Sequence, residues 1–114
     1  MNYQEIKSLL LQIDDPVQKL ELVMDFGKLL SPIPDGCAYT EVLGCVSRVQ
    51  ICKVNDNFFG MADSALVRGI LFIILSIAND KIKNIKAEFD SLNLKFGASR
   101  LNGIESIIKA INNY

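Results

Sequence analysis

The stretch from Ala65 to Ala78 most constrains how this chain can fold. It is apolar nearly all the way round, with Arg68 as its lone charge close to the start. A helix without a polar face has to be covered on every side, so the spacing predicts a buried central helix with the remaining elements packed around it. Asp63 or Ser64 stands where an N-cap is needed, and Asn79-Asp80 breaks the run. Its most apolar part, Gly69 to Ala78, is too short to cross a bilayer.

The elements before this helix divide into two kinds. Asn2 with Glu5 three residues on has capping-box spacing, and Ile6, Leu9, Leu10 and Ile13 recur at helical intervals, so a helix is expected over about 3–12. Asp15 can cap a second helix with Pro16 at its first position. That helix is expected to run to about Leu30, with Val17, Leu20, Met24 and Leu29 facing inward and Gly27 allowing a close neighbour. Ser31 to Gly36 is a loop by its turn chemistry, and Cys37 to Leu43 shows no assignable pattern. Alternation then predicts a strand from Val46 to Val54, a turn at Asn55-Asp56-Asn57 and a second strand from Phe58 to Met61, paired as an antiparallel hairpin.

After the central helix, Lys81 to Glu88 reads as a solvated helix and Phe89 to Gly97 as irregular, with Leu92, Leu94 and Phe96 tucked in. Ser99 is placed to cap a last helix whose Ile104, Ile107, Ile108 and Ile111 make one apolar face. The order is helices, hairpin, helices: a single α+β domain over residues 1–114, with a small antiparallel sheet against several helices.

Composition narrows the chemistry. There is no histidine among the 114 residues, which excludes Ser-His and Cys-His pairs and any His-ligated zinc or iron site. No glycine-rich phosphate loop is present, and a net charge of −1 offers no footprint for nucleic acid or an anionic membrane. No basic region, apolar block and small-residue cleavage site opens the chain, so a cytoplasmic setting is expected. The three cysteines, odd in number and without a C-x-x-C, fit reduced thiols better than a disulfide framework. Cys37 is expected as a loop thiol and Cys52 as a packing residue of the strand. Cys45 and Cys52 differ in parity on that strand, so no shared metal site is expected.

Cys45 is the candidate nucleophile. Gly44 suits a turn that presents the next side chain, which favours thiol chemistry, while a free cysteine is also a good small buried hydrophobe. A thiol that accepts a group from an already activated donor needs no imidazole base.

Four segments in register bear a resemblance. Val42, Gly44, Cys45, Ser47 and Val49 resemble the V-x-G-C-x-S-x-V segment of the SufE family of sulfur-acceptor proteins. Asp15-Pro16, Lys19-Leu20-Glu21, Asp25, Gly27 and Leu30 are similar to its D-P-x-x-K-L-E helix. Ala62-Asp63-Ser64 through Arg68-Gly69 resembles its A-D-S helix start, and Ser99-Arg100, Asn102 and Gly103 its S-R-x-N-G segment. The resemblance implies an α+β fold and a persulfide formed on Cys45, with sulfur taken from a pyridoxal-phosphate-dependent, SufS-like cysteine desulfurase and passed to an iron–sulfur scaffold. It implies no cofactor of the chain's own, and no nucleic-acid or membrane partner. Gly44 and Ser47 would shape the cysteine loop. Arg100 would either stabilise a thiolate or persulfide or serve as a surface charge. Asp63 would cap its helix or touch the partner, and Arg68 would be a solvated or a partner-facing charge. The chain departs from the family pattern at Val46, at Gln50 where the family usually has Trp, and in a shorter Asp63 segment. The competing readings are an IscU-like scaffold, which needs the cysteines to converge, and an interaction module with an inert Cys45.

Overall fold

The computed structural model describes residues 1–45 and 47–114. In chain order the elements are α1 (Tyr3–Leu11), α2 (Pro16–Gly27), β1 (Thr40–Glu41), β2 (Val49–Val54), β3 (Asn57–Ala62), α3 (Ala65–Asn79), α4 (Ile85–Asp90) and α5 (Ala98–Asn112). The strands form one antiparallel sheet in the order β1-β2-β3, so the class is α+β, as expected.

α3 is the hub, packed against α1, α2, α4, α5 and β3. Ile70, Leu71, Ile73, Ile74 and Ile77 are essentially inaccessible. Burying one such side chain contributes about 1.5–3 kcal/mol, so this row is the main apolar contribution of any single element. Both helix ends are tied by side chains. Ser64 Oγ accepts the Val67 N–H at 3.5 Å, so Ser64 and not Asp63 is the N-cap. At the far end Asn79 pairs with both backbone groups of Phe58, at 2.7 and 3.1 Å, and Asp80 accepts the Tyr3 N–H at 3.0 Å.

α2 begins as expected, with Asp15 accepting the Val17 N–H and Pro16 in the first turn. It stops at Gly27, short of Leu30, and it buries a different face. Val17 and Leu29 are more than half exposed, and the inward stripe is Lys19, Val23, Phe26 and Gly27. A lysine and a glycine within that stripe hide it from a count of apolar residues. The Lys19 stem lies buried while its ammonium donates to the Leu92 carbonyl at 3.2 Å. Gly27 and Gly69 let the two backbones approach. A Cβ on Gly27 would lie 2.8 Å from the Gly69 nitrogen, and a Cβ on Gly69 would run into the Val23 carbonyl.

The hairpin turns on Asn55 and Asp56, both at positive φ, and Asn57 already belongs to β3. Two successive left-handed residues make the turn whose twist suits a two-residue hairpin. β2 starts at Val49; the expected start, Val46, lies outside the described residues, and Cys45 belongs to the preceding loop. The alternation did not translate into one inward face, because Val49, Gln50, Ile51 and Cys52 are all buried. A third strand, β1, pairs Thr40 with Ile51 and Glu41 with Gln50. Just upstream of it Cys37 is joined to Cys52 by a disulfide, with Cα atoms 6.4 Å apart. This corrects the expectation of two separate thiols: with β1 unassigned, nothing in the sequence brought those positions together.

α4 starts four residues later than expected, because Lys81 and Asn84 sit at positive φ and forbid an earlier helix; Asn84 then caps it on the Ala87 N–H. α5 begins at Ala98 after Gly97, with no side-chain cap, so Ser99 lies inside the first turn. Its four isoleucines are buried as the spacing required. Beyond it Tyr114 reaches back to the sheet, its hydroxyl 3.0 Å from the Ile51 carbonyl and 2.9 Å from the Thr40 hydroxyl.

The α2–α3 contact is the point most sensitive to added volume. Gly69→Ala should lower stability by about 2–3 kcal/mol, because the methyl has backbone rather than a flexible side chain to displace. Chemical denaturation of the variant beside the parent checks this, and an unchanged midpoint would contradict it.

Candidate functional site

The connection from β1 to β2 is a loop pinned at its base. The Val42 N–H donates to the Val49 carbonyl at 2.9 Å. Asp63 closes the other side: its carboxylate accepts the Arg48 N–H at 3.1 Å, and its own N–H donates to the Arg48 carbonyl at 3.3 Å. The capping role expected for Asp63 is therefore replaced by a brace on the cysteine loop. Glu41 gathers the outer strands, accepting from the Arg48 guanidinium at 3.0 Å and from the Gln50 amide at 2.6 Å. Those bonds, Gln50 first and then Arg48, hold its carboxyl below the usual range. Gln50 thus fills a buried position with a polar group that has a partner.

Gly44 carries the sharp bend, with φ +96°. Two constraints meet there. An L side chain would be strained, and a Cβ would stand 2.5 Å from Ser106 Oγ on α5. The bend turns Cys45 toward α5, where its thiol donates to the Gly103 carbonyl at 3.5 Å. Cys45 is half-buried and is the one free cysteine among the described residues. Burial pushes its thiol up, since desolvation penalises the thiolate.

The thiol borders a cavity of about 130 Å³. Ser47, Ser99 and Arg100 supply the polar part of the wall, and Val67, Ile70 and Ile107 supply apolar surface. Arg100 is half-buried, and among the described residues no carboxylate lies within ion-pair distance of it. Arg100 and the protonated thiol thus share one cavity wall.

The structure brings Cys45, Ser47 and Arg100 to one cavity, with Gly44 shaping the loop and Asp63 bracing it. Arg68 is elsewhere: its Nε donates to the Ala62 carbonyl at 2.8 Å, and it lines a groove with Gly27, Lys28 and Asp63. Glu41 and the Gly103 carbonyl were not singled out from the sequence, and Gln50 stood out only as a departure from the family pattern. The Glu41–Gln50 bond becomes visible only once β1 is known, and the Gly103 carbonyl is a backbone atom with no side-chain signature. The scaffold alternative needs converging thiols, and here Cys37 and Cys52 converge only on each other. Among the described residues no three His, Cys, Asp or Glu side chains come together as metal ligands.

The family model described as SufE, the Fe-S metabolism associated domain, matches residues 4–114. The chain belongs to the SufE family. It is also similar to the sulfur acceptor protein CsdE of Escherichia coli (strain K12), 32% identical over 106 residues that cover 80% of this chain and 71% of that protein. The SufE match takes in every element of the fold from α1 to α5, including the cavity and the loop above it. No helix among the described residues is long and apolar enough to cross a membrane.

Burial of Cys45 has a measurable pH consequence. The rate of Cys45 carbamidomethylation should rise with pH through a midpoint above that of a free thiol, near 8.5, and return to about that value in denaturant. The same shift makes the folded state the better proton binder. Its contribution to stability is full below the unfolded pKa and is lost as pH rises through the folded one. A midpoint at or below the free-thiol value would contradict this.

Proposed function

We propose that this SufE-family chain accepts sulfane sulfur on Cys45 from a cysteine desulfurase and delivers it to an iron–sulfur scaffold. The observation that carries the reading is that the one free thiol among the described residues lies in the loop that resembles the family's cysteine segment and shares a cavity with Arg100, which has no ion-pair partner among the described residues. The proposed donor is a SufS-like desulfurase whose pyridoxal phosphate performs the C–S cleavage; the chain described here needs no cofactor of its own. The setting proposed is the cytoplasm, where reduced thiols prevail.

The step is a thiol exchange. Cys45 loses its proton, and the thiolate attacks the terminal sulfur of the desulfurase persulfide. A new S–S bond forms on Cys45, the donor's S–S bond breaks, and the donor cysteine leaves as a thiolate. The chain has no histidine to take the proton, so it passes to water or to the partner. Because the thiol points at Gly103, the loop must swing outward before an external sulfur can reach it in line. Arg100 then has an anion to face, first the thiolate and afterwards the persulfide. Removing sulfur from the desulfurase frees that enzyme for its next turnover, which is how an acceptor stimulates its donor. Asp63, which braces the loop, and Arg68, in the neighbouring groove away from the cavity, are proposed contacts for the partner.

Incubation with purified desulfurase and L-cysteine, then intact mass under non-reducing conditions, tests the reading. The chain should gain the mass of one sulfur, and Cys45→Ser should not. An unmodified mass with a desulfurase that forms its own persulfide would overturn it in favour of an inert thiol. Arg100→Ala should slow uptake about tenfold, equivalent to about 1.4 kcal/mol at the transition state, with Arg100→Lys in between. Equal rates in all three would remove Arg100 from the chemistry.

A further inference from the structure

We propose that the Cys37–Cys52 disulfide is a reversible redox site, opened by a dithiol reductant, that sets how freely the Cys45 loop can leave α5. Its bearing on sulfur transfer rests on the acceptor reading above; its effect on loop mobility does not.

The topology carries the argument. The bond joins residues separated by 15 positions, and the ring it closes contains β1, Gly44, Cys45 and Ser47 and the start of β2. The downstream side of that ring is secure, because β2 is paired along its whole length with β3. The upstream side is not. β1 has only two residues, both exposed, and the segment from Lys28 to Tyr39 before it contains no helix or strand. The non-covalent ties on this stem are the two-residue pairing, the exposed Tyr114–Thr40 contact, the Glu41 bonds to exposed Arg48 and buried Gln50, and the buried Val42 with its bond to the Val49 carbonyl. The disulfide is the covalent constraint on the upstream stem of the cysteine loop, added to these few non-covalent ones. Severing it leaves β1 free to fray and Glu41 free to part from Arg48 and Gln50, while β2 and β3 stay in place.

Accessibility fixes the direction of attack. Cys52 is wholly buried and Cys37 is half-exposed. A reductant thiolate attacks the Cys37 sulfur, forming a mixed disulfide and expelling the Cys52 thiolate, which takes up a proton within the core. The reductant's second thiol then attacks the mixed disulfide. This releases Cys37 as a thiol and leaves the reductant as a disulfide, so two electrons pass from the dithiol to the chain. The reverse exchange with an oxidised dithiol closes the tether again. In a thiol-reducing compartment a disulfide serves as a redox-responsive element more often than as a fixed framework bond.

The test follows Cys45 by peptide mass mapping after brief iodoacetamide pulses, on the oxidised chain, on the chain reduced with dithiothreitol and then freed of it, and on Cys37→Ala. The oxidised chain should lack two hydrogens by intact mass and label slowly at Cys45. Reduction should raise Cys45 labelling several-fold. Cys37→Ala should label as fast as the reduced chain whether or not reductant has been applied, with helical circular dichroism unchanged. Equal Cys45 labelling in oxidised and reduced chains would overturn the proposal, as would a chain that stays fully reduced under mild oxidation by glutathione disulfide. If labelling responds to reduction while the desulfurase assay adds no sulfur, the tether stands and the acceptor reading fails. Sulfur uptake with unresponsive labelling is the converse.

Discussion

Everything in this fold follows from the need to keep α3 away from water. A helix with no polar face cannot lie on a surface, so it needs neighbours on all sides, and here it has four helices and a strand. The closest approach is made where α2 meets it at Gly27 and Gly69, and there the two backbones are nearly in contact. The polar groups of α3 that reach other elements lie near its ends: Arg68 holds the end of β3, Asn79 its start and Asp80 the start of α1, while Ser64 caps the helix itself. The cysteine loop stands above the first of these ends, and its brace, Asp63, lies just before the helix starts. The packing of the core and the placement of the thiol are thus one problem with one solution.

The sequence was most legible where a single periodicity dominated. The α3 and α5 faces, the Asn2 and Asp15 caps and the hairpin all followed from spacing and turn chemistry, and Gly44 marked the bend before Cys45. It was least legible where the deciding contact lay far away in the chain. β1 is two residues long with both side chains in solvent, so it has no alternation to read, and the Glu41–Gln50 bond and the Cys37–Cys52 pairing were hidden with it. The α2 face was misjudged because a lysine can bury its stem and a glycine can mark a contact without adding apolar count. Ser99 had the right chemistry for a cap but stood two residues past the position that needed one.

At the site, desolvation governs the thiol: burial against Gly103 favours the protonated form. Any movement that brings the loop into water weakens that effect at once, so exposure by itself eases ionisation in a chain that has no histidine to act as base.

The sheet edges have a consequence for the chain in bulk. A strand with an unpaired outer edge is an invitation to add another strand, and a three-stranded sheet has two such edges. On β3 the Asn79 amide occupies Phe58 and the Arg68 guanidinium occupies the Ala62 carbonyl, so the outward hydrogen-bonding groups at both ends of that strand are spoken for. On the other side β1 is too short to template a partner. The sheet is finite by construction. Strand-to-strand pairing between copies therefore has little to start from on either edge.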